Sequence, residues 1–233
     1  MNNKSSLNFN VTAVIGNDNL SDQDIKNLEL ARAQRCLEIL KTKLGHDKLK
    51  ELFQDEMNEV TALSEKWVEE SNGEWKSDFV IMHMPKISAK EFLTYFEAMA
   101  SSGKEELLRF AHPDHIINTL SASGDIEVIE NIGEYEYPWH IFLKLVPFDK
   151  SMPLTVDNNY PHGFVAPAKS INGKIIMYAG HEFRDLDNGM GVKLSIAVPK
   201  TAPDHLLVGH LRHFSVEFRN WYYAAVSELA ARA

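Results

Sequence analysis

The apolar positions change their spacing partway along the chain. From Leu20 to Gly45, Leu28, Leu30, Ala31, Leu37, Ile39 and Leu40 recur at helical rather than alternating intervals. "LSDQDIKNLELARAQRCLEILKTKLG" therefore reads as a helix, capped by Ser21 or Asp22 and ended by Gly45. A second helix is expected from about His46 to Glu70, stopped by "SNGEW". Together they form a helical hairpin suited to packing or to dimer contact. Residues 1–20, rich in Asn, Ser and Gly, read as irregular, with "IGNDN" as a loop.

After Gly73 the pattern shortens. "DFVIMHMP" is a strand stopped by Pro85, and "SAKEFLTYFEAMASS" an amphipathic helix with Ser88 as N-cap and Glu91 in capping-box position. "GKEELLRFA" is a short helical piece, and "HPDHIINTL" opens a turn or a further helix. From Gly124 the period becomes two: "DIEVIENI", "WHIFLKLVPF" and "GFVAPAKSI" follow one another. "KIIMYAGHEFRD", the turn "LDNG" and "MGVKLSIAVP" form a hairpin. The chain closes on a long helix beginning near "APDHLLVGHLRHFSVEFRN".

Segregated strands imply an α+β fold with an antiparallel sheet. A curved sheet around the terminal helix leaves a cavity suited to an apolar ligand. The expected division is an N-terminal helical extension over 1–75 and a metal-binding domain over 76–233.

Composition narrows the function. Of 233 residues, 44% are hydrophobic and 24% charged, enough for a core without staples. Cys36 is the sole cysteine, which excludes an internal disulfide and a thiolate-built zinc site. A net charge of −9 argues against a nucleic-acid partner. No apolar run has the length of a membrane span, and the polar start lacks a signal peptide's core, so no membrane partner and a cytoplasmic location are expected. The acidic stretch from Glu51 to Glu74 reads as a solvated helix face.

The chemistry gathers in the histidines and carboxylates. His213 and Glu217, spaced i, i+4, share a helical face flanked by Phe214, Phe218, Trp221 and Tyr222. An imidazole nitrogen and a carboxylate oxygen can converge there on one cation, and a buried Glu needs such a partner. In "HPDH", either His112 or His115 can supply a third ligand. On the alternating strand, Ile126, Val128, Glu130 and Ile132 share one face, which sets Glu130 among core side chains. Two His and two Glu suit zinc, with iron or manganese also compatible. "HEFRD" at His181 has Asp185 where a zincin helix needs its second His, and neither a phosphate loop nor a G-x-S-x-G elbow occurs.

Four segments, "FAHPDH", "VIENIG", "GHEFRDLDNGMGVKLSIAV" and "HFSVEFRN", resemble those of the 2,4-diacetylphloroglucinol hydrolase and phloretin hydrolase family over roughly residues 78–230. These are metal-dependent carbon–carbon bond hydrolases on a helix-grip (Bet v 1-like, START-like) fold. The resemblance implies one divalent metal, expected to be zinc, on His115, Glu130, His213 and Glu217, with His112 the rival of His115. It also implies His181 as the acid–base residue. The implied partner is a small aromatic ketone, an acylated phenol or related β-diketone. Where the family strand is Arg-rich this chain has "VKLSIAV" with Lys193 alone, the segment between the first His and the first Glu is short, and the N-terminal hairpin has no counterpart. Tyr95 and Tyr178 are further candidates for binding phenolic oxygens, and Asn220 for orienting a ligand or Glu217. Two other functions fit the same pattern: a non-catalytic carrier of an apolar molecule, and a metal-dependent lyase or cyclase. The hairpin suggests a homodimer.

Overall fold

The computed structural model describes residues 11–102, 105–121, 124–149 and 151–232. Two compact units divide at Gly45/His46. The first holds a two-stranded antiparallel hairpin, β1 (Ala13–Ile15) and β2 (Asp18–Leu20), and the first part of α1 (Asp22–Leu52). "IGNDN", expected as a loop, thus pairs around a tight turn, while residues 1–10 of the segment expected to be irregular lie outside the described residues. Gly45 sits where the sequence puts a helix end, with φ 70° and ψ 170°, but the helix resumes at once and runs to Leu52. Leu30, Leu37, Leu40 and Leu44 are all exposed.

The second unit contains the rest: α2 (Gln54–Glu70), β3 (Trp75–Met84), α3 (Ala89–Ser101), α4 (Glu105–Arg109), β4 (His115–Leu120), β5 (Ile126–Glu130), β6 (Trp139–Leu143), β7 (His162–Ser170), β8 (Ile175–Leu186), β9 (Gly189–Pro199) and α5 (Asp204–Arg232). A short 3-10 turn, Ile132–Glu134, follows β5. The boundary expected at 75/76 differs from the structural one because α2 packs into the domain. Met57 joins Ile117 and Ile129 in one apolar cluster, and Trp67 lies 6.2 Å from Trp139 in another.

Seven strands form one antiparallel sheet in the order β3-β9-β8-β7-β6-β5-β4. The apolar side of α5, with Leu206, Phe214, Phe218, Trp221 and Ala225, is buried in the main core with Val128, Ile141, Val192 and Leu194 from the sheet. This is the helix-grip arrangement. The capping box of α3 forms as expected, Ser88 Oγ accepting from the Glu91 backbone N–H while Glu91 accepts from that of Ser88. No helix among the described residues is long and apolar enough to cross a membrane.

"HPDHIINTL" opens with the expected turn and continues as a strand. "HPD" forms a turn, and His115 opens strand β4 rather than a helix, as the β-branched Ile116 and Ile117 favour. Along β4, His115 faces Glu130, yet Ile117 already faces Ile129 and Asn118 faces Val128. Ile116 is thus one extra residue, a β-bulge. It puts His115 and Asn118, three positions apart, on the same side of the sheet.

Candidate metal centre

Three elements supply the centre. His115 and Glu130 lie directly across from each other on β4 and β5, and His213 and Glu217 sit one turn apart on α5. Two glycines bring helix and sheet together. Gly133 takes φ +61°, and a Cβ there would stand 2.2 Å from the Leu206 carbonyl oxygen; a Cβ on Gly209 would stand 2.3 Å from that of Gly133. The helix therefore presses on the backbone three residues beyond Glu130, one turn before His213.

Around His115 Nε2 lie His213 Nε2 at 3.1 Å, Glu130 Oε2 at 3.2 Å and Glu217 Oε1 at 3.3 Å. His213 Nε2 is 3.7 Å from Glu130 Oε2. All four residues are at most 7% exposed. His115 Nδ1 is 3.0 Å from the Leu108 carbonyl, which can only accept, so Nδ1 carries a proton and Nε2 faces the cluster. A proton on Nε2 can be given to one of its three neighbours. Ligand atoms of His115, Glu130 and His213 lie within 4.8 Å of one another and Glu217 reaches His115; a divalent cation there would balance two buried carboxylates, and the nitrogen–oxygen donor set suits zinc. The residues fit the metal.

Burial lowers the pKa of His115, but hydrogen bonds and charge from Glu130 and Glu217 outweigh it and raise it to about 10. Burial pushes Glu217 up from the usual carboxylate range. It opposes the lowering of Glu130, where the hydrogen bond and charge of His115 prevail. Burial, with His210, His115 and His112 nearby, holds His213 well below 6.5, as a neutral imidazole ligand. Because the folded pKa of His115 lies above its ordinary 6.5, its stabilising contribution is complete below about pH 6.5 and lost as pH rises through about 10. Protein stripped by a chelator is accordingly expected to melt at progressively lower temperature across that window. Protein supplied with zinc, which would balance the carboxylates in place of the proton, should lose less. Thermal melts of both forms across that range check it.

Glu130 and Glu217 line a cavity of about 650 Å³ whose walls include Val128, Ile141, Phe164, Met177, Phe218 and Trp221. His181 and His210 line the same cavity. Each has a buried Nδ1 without a hydrogen-bond partner. Burial first, then the neighbouring His210, lowers His181 to about 3 against a bond to the Phe164 backbone. Burial likewise lowers His210 to about 4. Both are neutral bases, and His210 feels the charge of Glu130.

The structure brings His115, Glu130, His213 and Glu217 together and sets His181 in the adjoining cavity. Of the "HPDH" histidines, His115 lies with Glu130 and His213, while His112 stacks on the His213 ring at 3.8 Å, its Nδ1 accepts the Asp114 backbone N–H, and with Asp114 and His213 it makes a second possible cation group. Asn220, Tyr178, Tyr95 and Lys193 lie outside the cavity lining. Asn220 donates to the Ala111 carbonyl at 2.8 Å and so braces the turn before "HPDH". Tyr178 packs on Trp75 away from the cavity, and Tyr95 lies between α3 and α5. Lys193, the departure in β9, faces away from the cavity, paired with Glu182 at 2.8 Å and with the Thr155 carbonyl at 2.9 Å. Sequence reasoning missed Asn118, whose buried Oδ1 lacks a partner on the cavity wall. The bulge that aims it has no sequence signature.

No protein-family model matches the chain, and no curated protein does. Among solved structures it is similar to Ara h 8.0201, at 14% identity and a TM-score of 0.45, covering 66% of this chain and 99% of that one. Protein MLL2253 from Mesorhizobium loti follows at 6% identity and 0.40, covering 66% and 98%. The protein XoxI from Bacillus cereus gives 9% and 0.36, covering 65% and 95%.

Proposed function

We propose that the chain is a metal-dependent hydrolase that cleaves the carbon–carbon bond between an aromatic ring and a ketone carbonyl in an acylated phenol of the acylphloroglucinol type. The observation that carries this reading is the convergence of His115, Glu130, His213 and Glu217 beside an apolar cavity that also presents His181. The family-like segments noted above supply the reaction class. A cavity of about 650 Å³ has the size of a small-molecule site.

A divalent ion on these four residues would supply Lewis acidity toward a carbonyl and a lowered pKa for water. The side chains divide the rest. Phe164, Phe218 and Trp221 hold the ring and exclude bulk water. Asn118 Oδ1 accepts a hydrogen bond from a phenolic hydroxyl. An aryl carbon leaves only when protonated, so a proton must reach the ring carbon that bears the acyl group, converting the ring to its keto form. Water then adds to the exocyclic carbonyl, and the carbon–carbon bond breaks as in a retro-Claisen step, giving a carboxylic acid and the deacylated phenol. His181, kept neutral by burial, can take the proton of the attacking water and pass one to the ring.

Metal-loaded protein incubated with mono- and diacylated phloroglucinols is expected to release one carboxylic acid per acyl group lost, measured by chromatography. Tight binding of these compounds without acid release would leave a carrier of apolar molecules; a rearranged or cyclised product would indicate a lyase or cyclase. His181→Gln is expected to retain the metal, because His181 is outside the ligand set, while kcat falls by about 10²–10⁴. Unchanged turnover in that variant would remove His181 from the mechanism.

A further inference from the structure

The two histidines of the centre differ in what holds their outer nitrogen. His115 Nδ1 donates to the Leu108 carbonyl at 3.0 Å. His213 Nδ1 is buried and has no hydrogen-bond partner. A neutral imidazole that offers Nε2 to a cation carries its one proton on Nδ1, so this buried atom is a donor. The carboxylate facing it is Asp114, whose Oδ2 stands 4.0 Å away, too far for a hydrogen bond.

The turn that carries Asp114 is built around the His213 ring. His112 lies on that ring at a centroid distance of 3.8 Å and an interplanar angle of 15°. His112 Nδ1 accepts the backbone N–H of Asp114 at 3.0 Å, which fixes the root of the Asp114 side chain beside the stacked pair. Oδ2 also lies 3.6 Å from His112 Nδ1. That nitrogen has its lone pair committed to the backbone and no proton for the carboxylate when neutral. The Asp114 side chain is 41% exposed, so its carboxylate lies at the edge of the core beside Nδ1.

We infer that Asp114 is a positioning residue for the metal: its carboxylate closes on His213 Nδ1–H when Nε2 is engaged, fixing ring orientation and raising ligand basicity. Metal-bound histidines generally have such an outer carboxylate or carbonyl, and a charge on Nε2 makes Nδ1–H a stronger donor. The "HPDH" turn then contributes a ligand in His115, a stacking platform in His112 and the outer carboxylate in Asp114. This inference rests on the metal reading proposed above.

The test compares wild type, Asp114→Asn and Asp114→Ala, each stripped by a chelator. Zn²⁺ and Co²⁺ affinities are measured by competition with a chromogenic chelator, together with the visible Co²⁺ spectrum and the melting temperature of the stripped protein. Asp114→Ala is expected to bind both ions about 10–100-fold more weakly, with a shifted Co²⁺ band. Asp114→Asn, whose amide oxygen can still accept, should fall between. The stripped proteins should melt within about 2 °C of one another, as for surface substitutions. Wild type that binds the ions while Asp114→Ala matches it in affinity and spectrum would overturn the role of Asp114 and leave the metal centre standing. A lowered melting temperature of stripped Asp114→Ala, with no spectral change on loading, would mark Asp114 as merely structural and also overturn it. Wild type that binds neither ion would sink the metal reading, and this inference with it.

Discussion

Glu217→Gln is expected to lose metal binding without losing the fold. The substitution keeps the shape of the side chain and removes one anionic donor from a four-residue set. Outer partners of metal ligands are worth about 10–100-fold in affinity, so loss of a ligand itself should cost at least about 100-fold. Most buried carboxylates cannot be removed so cheaply, because a partner is left with an uncompensated charge. Here His115 lies against two carboxylates, Glu130 at 3.2 Å and Glu217 at 3.3 Å, and keeps the first. Burial already pushes Glu217 toward its neutral form, so a neutral amide meets little resistance there. Chelator-stripped Glu217→Gln should therefore melt at or above the temperature of stripped wild type, while Zn²⁺ titration shows the loss. A variant that binds Zn²⁺ like wild type would exclude Glu217 as a ligand.

Gly209→Ala is expected to do the reverse, damaging fold and centre together. Its Cβ would meet the Gly133 carbonyl oxygen at 2.3 Å and carbon at 2.5 Å. Both are backbone atoms held by their own hydrogen-bonded segment, so no side chain can swing aside. The helix must lift from the turn, at a cost near the upper end for overpacked positions, about 3 kcal/mol. For a domain of this size that corresponds to a fall in melting temperature of about 6–12 °C. The lift acts one turn before His213, so Zn²⁺ affinity should fall as well. Ala on the exposed position 208 of the same helix in place of Val208 is the control, expected to leave both unchanged.

The contrast between these sites marks how far the sequence could be read. Ser88 and Glu91 announce their helix because both partners of a capping box lie within one turn. Glu130 was legible because a strand alternates and its inward neighbours are apolar; the structure places Val128 and Glu130 on the cavity wall as expected. His213 and Glu217 were legible for the same local reason, on a helix. What could not be read depends on contacts between distant segments. Gly133 and Gly209 look like any turn and helix glycine until the two backbones meet. The bulge at Ile116 sets His115 and Asn118 on the same side of the sheet. The place of α2 depends on such contacts too, since its core-facing residues, Met57 and Val60, are recognisable only beside Ile129 and Trp139.

The central claim is that His115, Glu130, His213 and Glu217 hold a divalent metal. Elemental mass spectrometry of wild-type protein, purified without chelators and dialysed against metal-free buffer, tests it most directly. The account predicts about one zinc, iron or manganese ion per chain, as for a four-ligand site. Protein that retains no stoichiometric metal, and takes up none when Zn²⁺ is added before dialysis, would contradict it.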